Sequence, residues 1–258
     1  MADRQPGVTA SGSPAVRLTV VLPVYFEQEL IGATLDALDR DLATPFKALV
    51  VYDVDEDPTV AVVREGAARW PRATLVKNSV KRGVLGALRT GFEAADTEYV
   101  AVFMADLSDD PRVLDAMVRK ADEGFDVVSA SRYMAGGSKE GGPWFKTLLS
   151  RGAGQSLHLL TGLPTRDATN AFRLYRTDFV RSVNIESDGG FEVTMELTVK
   201  AYLEGRPVAE VPASWRDRTA GVSKFNFRNW LPKYLRWYFY CLVRSPLGLR
   251  ISRRRPAR

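Results

Sequence analysis

One cysteine, Cys241, and one histidine, His158, occur among the 258 residues of this chain. A lone cysteine excludes an internal disulfide and any paired-cysteine zinc site. A lone histidine excludes a two-histidine metal site and leaves a Ser-His-Asp triad little footing. Long apolar runs are missing as well: nothing approaches the ~18–20 residues that a membrane-spanning helix needs. Residues 1–14 are polar, with Gly, Ser and Pro, and hold no hydrophobic segment of the signal-peptide type. They read as a disordered lead-in, and the protein reads as cytoplasmic. No GxGxxG follows the first predicted strand, and no GxxxxGKS or GxxxxGKT occurs anywhere. A dinucleotide-binding domain of the usual kind and a P-loop are therefore a poor fit. Any chemistry must run on carboxylates, basic groups and hydroxyls.

What is present is ordinary for a soluble globular chain, with 45% hydrophobic and 26% charged residues. The length suits one large domain, or one domain with an appendage. The net charge of +5 is unevenly spread. The last twenty residues carry Arg244, Arg250, Arg253, Arg254, Arg255 and Arg258 and no acid, so without them the balance is 5 − 6 = −1. A basic tail suits phosphate-rich partners such as anionic headgroups, or is simply a solvated terminus. The body lacks a basic, aromatic-interleaved face, so no nucleic-acid partner is expected.

Apolar periodicity predicts strands over 16–22, 46–52, 73–77, 98–104 and 125–130. Helices are predicted over 29–42, 59–70 and 83–95, with another opening at Asp110 and Pro111. Strand and helix alternate, which implies an α/β fold: a mostly parallel sheet flanked by helices. The main domain is placed at 15–226, an amphipathic helical segment at 227–248 and the basic tail at 249–258. In such sheets a ligand sits beyond the carboxyl ends of the strands. There the sequence puts Pro23 to Glu27, then Asp53, Asp55, Glu56 and Asp57, then Asp106, Asp109 and Asp110. Crowded carboxylates repel unless a cation joins them, and hard oxygen ligands suit Mg²⁺ or Mn²⁺ with a diphosphate. The other reading is helix capping, which competes most strongly at Asp57 and Asp110.

Eight short motifs stand in order. They are Val21, Leu22, Pro23, Val24, Tyr25 and Glu27; Val51, Tyr52, Asp53, Asp57 and Thr59; and Gly83, Val84, Leu85, Gly86, Ala87 and Gly91. Met104, Ala105, Asp106, Leu107 and Pro111 follow, then Ser131, Arg132, Tyr133, Gly136 and Gly137. Next come Arg166, Asp167, Ala168, Thr169, Phe172 and Arg173, then Glu196, and last Asp217, Arg218, Gly221, Ser223 and Lys224. Together they resemble glycosyltransferase family 2, in its polyprenyl-phosphate (dolichol-phosphate mannose synthase-like) branch. Four positions differ from that pattern. Tyr52 stands for the first acid of a paired aspartate, Phe26 for an asparagine, Met104 for the first acid of DxD, and Ala171 for a glycine.

The resemblance implies a GT-A fold and an inverting transfer from a nucleotide-diphosphate sugar. It assigns the donor to Pro23, Tyr25, Glu27, Asp53, Asp57, Lys81, Gly83 and Asp106. A thioether is a poor ligand for a hard ion, so a divalent metal (Mg or Mn) would rest on Asp106 and Ser108, with help from Asp109. Asp106, Arg132, Arg218 and Lys224 are the candidate catalytic groups. Arg132, Arg151, Arg218, Ser223 and Lys224 are candidates for holding the acceptor phosphate; the competing readings are surface arginines and a solvated charged loop. Asp167 could orient an arginine or the acceptor, or cap a turn.

The near-absence of histidine favours a polyprenyl phosphate over an alcohol acceptor. An alcohol needs a general base, whereas a phosphate with a second pKa of about 6 is already ionised. Over 229–243, Trp230, Tyr234, Trp237, Tyr238, Phe239 and Tyr240 alternate with Lys233 and Arg236. This suits peripheral attachment at the cytoplasmic face of a membrane, or packing of the helix on the core. A hydroxyl acceptor served by Asp109, Asp110 or Asp167, and a non-catalytic sugar-nucleotide binder, are the rival functions.

Overall fold

The computed structural model describes residues 15–217 and 227–245. Strand β1 (Leu18–Pro23) is buried along its whole length, as expected of a nearly all-apolar strand covered on both faces; its one hydroxyl, Thr19, is paired with Thr97 at 2.6 Å. Helix α1 (Ile31–Asp41) follows, then β2 (Phe46–Tyr52), α2 (Pro58–Glu65), β3 (Ala73–Lys77), α3 (Val84–Ala94), β4 (Tyr99–Val102), α4 (Arg112–Asp122) and β5 (Val127–Ser131). The second half holds β6 (Ser138–Glu140), α5 (Trp144–Thr161), β7 (Arg173–Arg176), α6 (Thr177–Ser182), α7 (Glu192–Leu203), β8 (Val208–Pro212), β9 (Ser214–Arg216) and α8 (Phe227–Arg244).

The main sheet runs β3-β2-β1-β4-β7-β5-β8, and only β7 is antiparallel to its neighbours. Strands β6 and β9 form a separate parallel pair. The α/β expectation of a mostly parallel sheet between helices is met. One apolar layer joins the sheet to α1, α2 and α4. The other joins it to α3, α6 and α7. A third cluster, with Leu157, Met195, Trp237 and Cys241, ties α5 and α8 to α7. Chain order reverses between β1 and β4, so the crevice for a ligand opens at their carboxyl ends.

Several predicted boundaries move, two of them for a visible reason. Helix α2 stops at Glu65 because the chain turns at Gly66 and brings Trp70 back into the core, where its indole N–H donates to Asp36 at 2.8 Å. Strand β4 ends at Val102; Phe103 still packs in the core against Phe172, and Met104 is the first residue to line the crevice.

Candidate active site

The wall at the end of β1 is shaped from below. Phe26 sits at φ 56°, a left-handed conformation unusual for a bulky side chain. Its N–H donates to Asp57 Oδ2 at 2.8 Å, and Asp57 Oδ1 caps α2 through Thr59 N at 2.9 Å. Asp57 is buried and both of its oxygens serve backbone N–H groups. Of the two readings of this residue the cap is what the structure contains: Asp57 does not face the cavity, and its part is to hold the turn carrying Tyr25 and Glu27. Thr59 fixes the same turn by accepting from Glu27 N at 2.9 Å.

A cavity of about 540 Å³ opens against this turn. Pro23, Tyr25 and Glu27 line it from β1, Asp53 from β2, Gly83 from the start of α3, and Met104 from the end of β4. Asp53 closes the floor: Oδ1 accepts from Asn78 Nδ2 at 2.7 Å and Oδ2 from Gly83 N at 2.8 Å. Gly83 has φ 106°, which a side chain would strain, so the glycine lets α3 begin directly at the cavity. Lys81 is exposed, and its neighbour Arg82 lines the cavity in its place. The donor expectation at Lys81 is therefore not met at the cavity wall, because residue order alone does not say which of two adjacent basic residues faces it.

After β4 the chain makes a tight acidic loop. Asp106 Oδ1 accepts Ser108 N at 3.1 Å, with Leu107 at φ 58°. Ser108 O accepts Arg216 N at 3.0 Å, and Asp109 bridges to Trp215, so β9 pins the loop from outside. Asp106, Ser108 and Asp109 are all buried. Burial, then the neighbouring Asp106 charge, pushes the Asp109 carboxyl up to about 7. Ser108 Oγ and Asp109 Oδ1 have no hydrogen-bond partner among the described residues. Asp110 behaves differently: it accepts Arg112 N at 2.9 Å and the Arg112 guanidinium, which holds its carboxyl below the usual range, so it braces the first residue of α4 from just ahead of the N-cap position, Pro111.

Arg132, at the end of β5, does not reach out as a free phosphate ligand. Its Nε and Nη2 donate to the two oxygens of Asp167 at 2.7 and 2.8 Å, and its backbone N–H also donates to Asp167. Asp167 is fully buried and the Arg132 side chain is 11% exposed. Arg151 is exposed on α5, next to Ser150, which lies 2.5 Å from the Tyr133 hydroxyl. Arg218, Ser223 and Lys224 lie outside the described residues, as do the lead-in 1–14 and the tail 249–258. The two ends of their segment are placed. Asp217 donates its N–H to Glu140 at 3.0 Å beside β9, and α8 resumes at the cavity.

Sequence reasoning missed two aromatic walls. Phe191 and Trp230 line the cavity with ring centroids 6.3 Å apart. Glu192 holds the Phe191 turn by accepting Gly189 N and Gly190 N at 2.8 and 2.7 Å. A Cβ on Gly190 would fall 2.0 Å from the Trp230 ring, so this glycine lets α8 approach. Trp230 had the look of an interfacial aromatic, and only the docking of α8 turns it inward. Along the same helix Trp237 and Cys241 are buried against α5 and α7, whereas Leu231, Leu235, Phe239 and Val243 are exposed at four-residue spacing. Both readings of this segment, core packing and an outward apolar face, are therefore present on opposite sides. Lys233 and Arg236 are paired with Asp188 and Glu186 at 3.0 and 3.2 Å.

The model of glycosyl transferase family 2 matches residues 19–183. Polyprenol monophosphomannose synthase of Mycolicibacterium smegmatis is 29% identical, covering 88% of this chain and 89% of that protein. Undecaprenyl-phosphate mannosyltransferase of Micrococcus luteus is 32% identical, covering 82% and 88%. Dolichol-phosphate mannosyltransferase of Pyrococcus furiosus is 27% identical, covering 89% of this chain but 64% of its own length. Among solved structures, glucosyl-3-phosphoglycerate synthase from Mycobacterium tuberculosis, in complex with Mn²⁺, uridine diphosphate and glucosyl-3-phosphoglycerate, aligns with a TM-score of 0.65. The identity is 16%, over 94% of this chain and 85% of that one.

Proposed function

The chain belongs to glycosyl transferase family 2, and from that premise we propose that it moves a sugar from a nucleotide-diphosphate donor to a polyprenyl phosphate, with inversion at the sugar. One observation carries the reading: a cavity of about 540 Å³ at the carboxyl ends of β1 and β2, with Met104 leading from it into the buried oxygens of Asp106, Ser108 and Asp109. Pro23, Tyr25, Glu27 and Asp53, with Arg82, Phe191 and Trp230, would enclose the nucleotide. The names of the relatives, all transferases to polyprenyl or dolichyl phosphates, support the acceptor class.

Buried oxygens without partners, beside a carboxylate, form a hard donor set that fits a divalent cation, Mg²⁺ or Mn²⁺. Asp106 and Ser108 are the residues that would hold it, and when bound it supplies positive charge to the leaving diphosphate. Arg218, Ser223 and Lys224 would hold the acceptor phosphate. Arg132, committed to Asp167, would add its charge from behind rather than by a bidentate grip.

The acceptor requires no base because a phosphate arrives ionised. His158 sits in the last turns of α5, with its Nδ1 2.7 Å from Leu163 O, and is not among the residues that line the cavity. Of the three carboxylates that could serve an alcohol, Asp110 is bound to Arg112 and Asp167 to Arg132, which leaves Asp109 as the base that the alcohol reading would need. Among the described residues no helix is long and apolar enough to cross a membrane. Attachment is proposed to be peripheral, at the cytoplasmic face, through the outward residues of α8 and through α5, which exposes Trp144, Leu148, Leu159 and Leu160.

Radiolabelled sugar transfer from a panel of nucleotide sugars to polyprenyl phosphate, with and without Mn²⁺, tests the reading. An acid-labile lipid-linked product is expected, and it should vanish in a folded Asp106→Ala variant. An acid-stable glycoside formed on a hydroxyl acceptor would replace this reading with the alcohol-acceptor one.

A further inference from the structure

The acidic loop holds a buried carboxyl with an oxygen left unpaired. Asp109 is 9% exposed and its Oδ1 is buried with no hydrogen-bond partner among the described residues. Leaving a buried carboxylate oxygen unpaired is costly, and native proteins seldom tolerate it without a ligand. The cation whose charge acts on Asp109 is Arg132, whose guanidinium already forks onto both oxygens of Asp167. A second oxygen, Ser108 Oγ, is buried and unpaired one residue away, and Asp106 reaches into the same loop by accepting Ser108 N. The loop is not free to relax. Ser108 O and Asp109 are both fastened to β9, and Leu107 is held at φ 58°. Meanwhile Met104, which lines the donor cavity at the entrance to this loop, offers only a thioether.

We propose that Asp109 is the second carboxylate of the divalent-cation site, supplying through Oδ1 the hard anionic oxygen that Met104 cannot. The acidic pair is thereby moved along the loop: Asp106 with Asp109 in place of position 104 with Asp106. Mg²⁺ and Mn²⁺ commonly take one or two carboxylates and complete their shell with water and phosphate oxygens, so two carboxylates and a hydroxyl suffice. This inference rests on the reading of the cavity as a diphosphate site.

The test measures Mn²⁺ binding by the full chain, through the free-ion electron paramagnetic resonance signal, with Mn²⁺ alone and with uridine or guanosine diphosphate added. Asp109→Asn, nearly isosteric, should weaken Mn²⁺ binding tenfold or more. Adding Met104→Asp to Asp109→Asn should restore much of the loss, because it returns the second carboxylate. Binding within twofold of the wild type in Asp109→Asn would overturn the proposal, as would a wild-type chain that binds no Mn²⁺ under either condition. Should Asp109→Asn fail to fold, the wild type decides: its infrared difference spectrum on adding Mn²⁺ shows two shifted carboxylates if Asp109 ligates, and one if Asp106 acts alone. Retained Mn²⁺ binding without sugar transfer would remove the proposed function and leave this assignment standing.

Discussion

Asp53 and Gly83 are joined by a 2.8 Å hydrogen bond from the glycine N–H to Asp53 Oδ2, across the floor of the cavity. With the bond from Asn78 to Oδ1, it fastens the end of β2 to the start of α3. The carboxylate that resembles a nucleotide-reading acid is thus also the latch that gives the cavity its depth.

Asp53→Ala would leave Gly83 N and Asn78 Nδ2 without their acceptor, a loss on the order of 1–3 kcal/mol. The donor Michaelis constant should rise roughly 5- to 150-fold, with the acceptor constant little changed. Steady-state kinetics with each substrate varied in turn checks it, and an unmoved donor constant counts against a donor-side latch.

The Arg132–Asp167 pair makes the opposite kind of prediction, one about stability. Asp167 is fully buried, so removing Arg132 strands its charge. Arg132→Ala should cost about 3–5 kcal/mol, and Arg132→Lys should recover little because an ammonium cannot fork onto both oxygens. Urea denaturation reads both. If Arg132→Ala instead unfolds at the wild-type midpoint and only weakens acceptor binding, the residue is a surface phosphate ligand after all.

The two sides of α8 should separate cleanly. Leu235→Glu with Phe239→Glu, on the exposed side, should abolish co-sedimentation with anionic vesicles while the melting temperature holds. Trp237→Ala, on the buried side, should destabilise by about 3–5 kcal/mol. Lys233 and Arg236 are ion-paired within the protein, which leaves Arg244 and the tail to meet lipid charge. Deletion from Arg250 onward should therefore weaken vesicle binding most at low salt. Salt-insensitive binding in that deletion would dismiss the tail.

Asp109 gives a pH signature in metal-free protein. Its carboxyl titrates near its ordinary value when unfolded but is pushed up to about 7 when folded. Between roughly pH 4 and 7 the folded chain holds a proton that the unfolded chain releases, so stability falls as pH rises through this window. Asp109→Asn should flatten that decline and melt higher than the wild type at pH 8. Parallel melting curves against pH in the two proteins would show that Asp109 contributes no such term.

Residue order by itself determined strands β1 to β5, the helices between them and the place of the crevice; β7, β8, the β6–β9 pair and helices α5 to α7 were not legible in it. Runs such as Leu18 to Pro23 can only be buried on both sides, and acids following them can only emerge at the strand ends. It also carried Asp53, Gly83 and Asp106 to one end of the sheet. Tertiary structure decided what each group is free to do there. Asp57 and Arg132 are spent on partners 31 and 35 residues away, and no local pattern reveals that expenditure. Arg82, Phe191 and Trp230 enter the cavity because α3, the turn before α7, and α8 are laid against one another. Direction within a packed interface depends on neighbours distant in the chain, whereas burial along a strand depends on the strand alone.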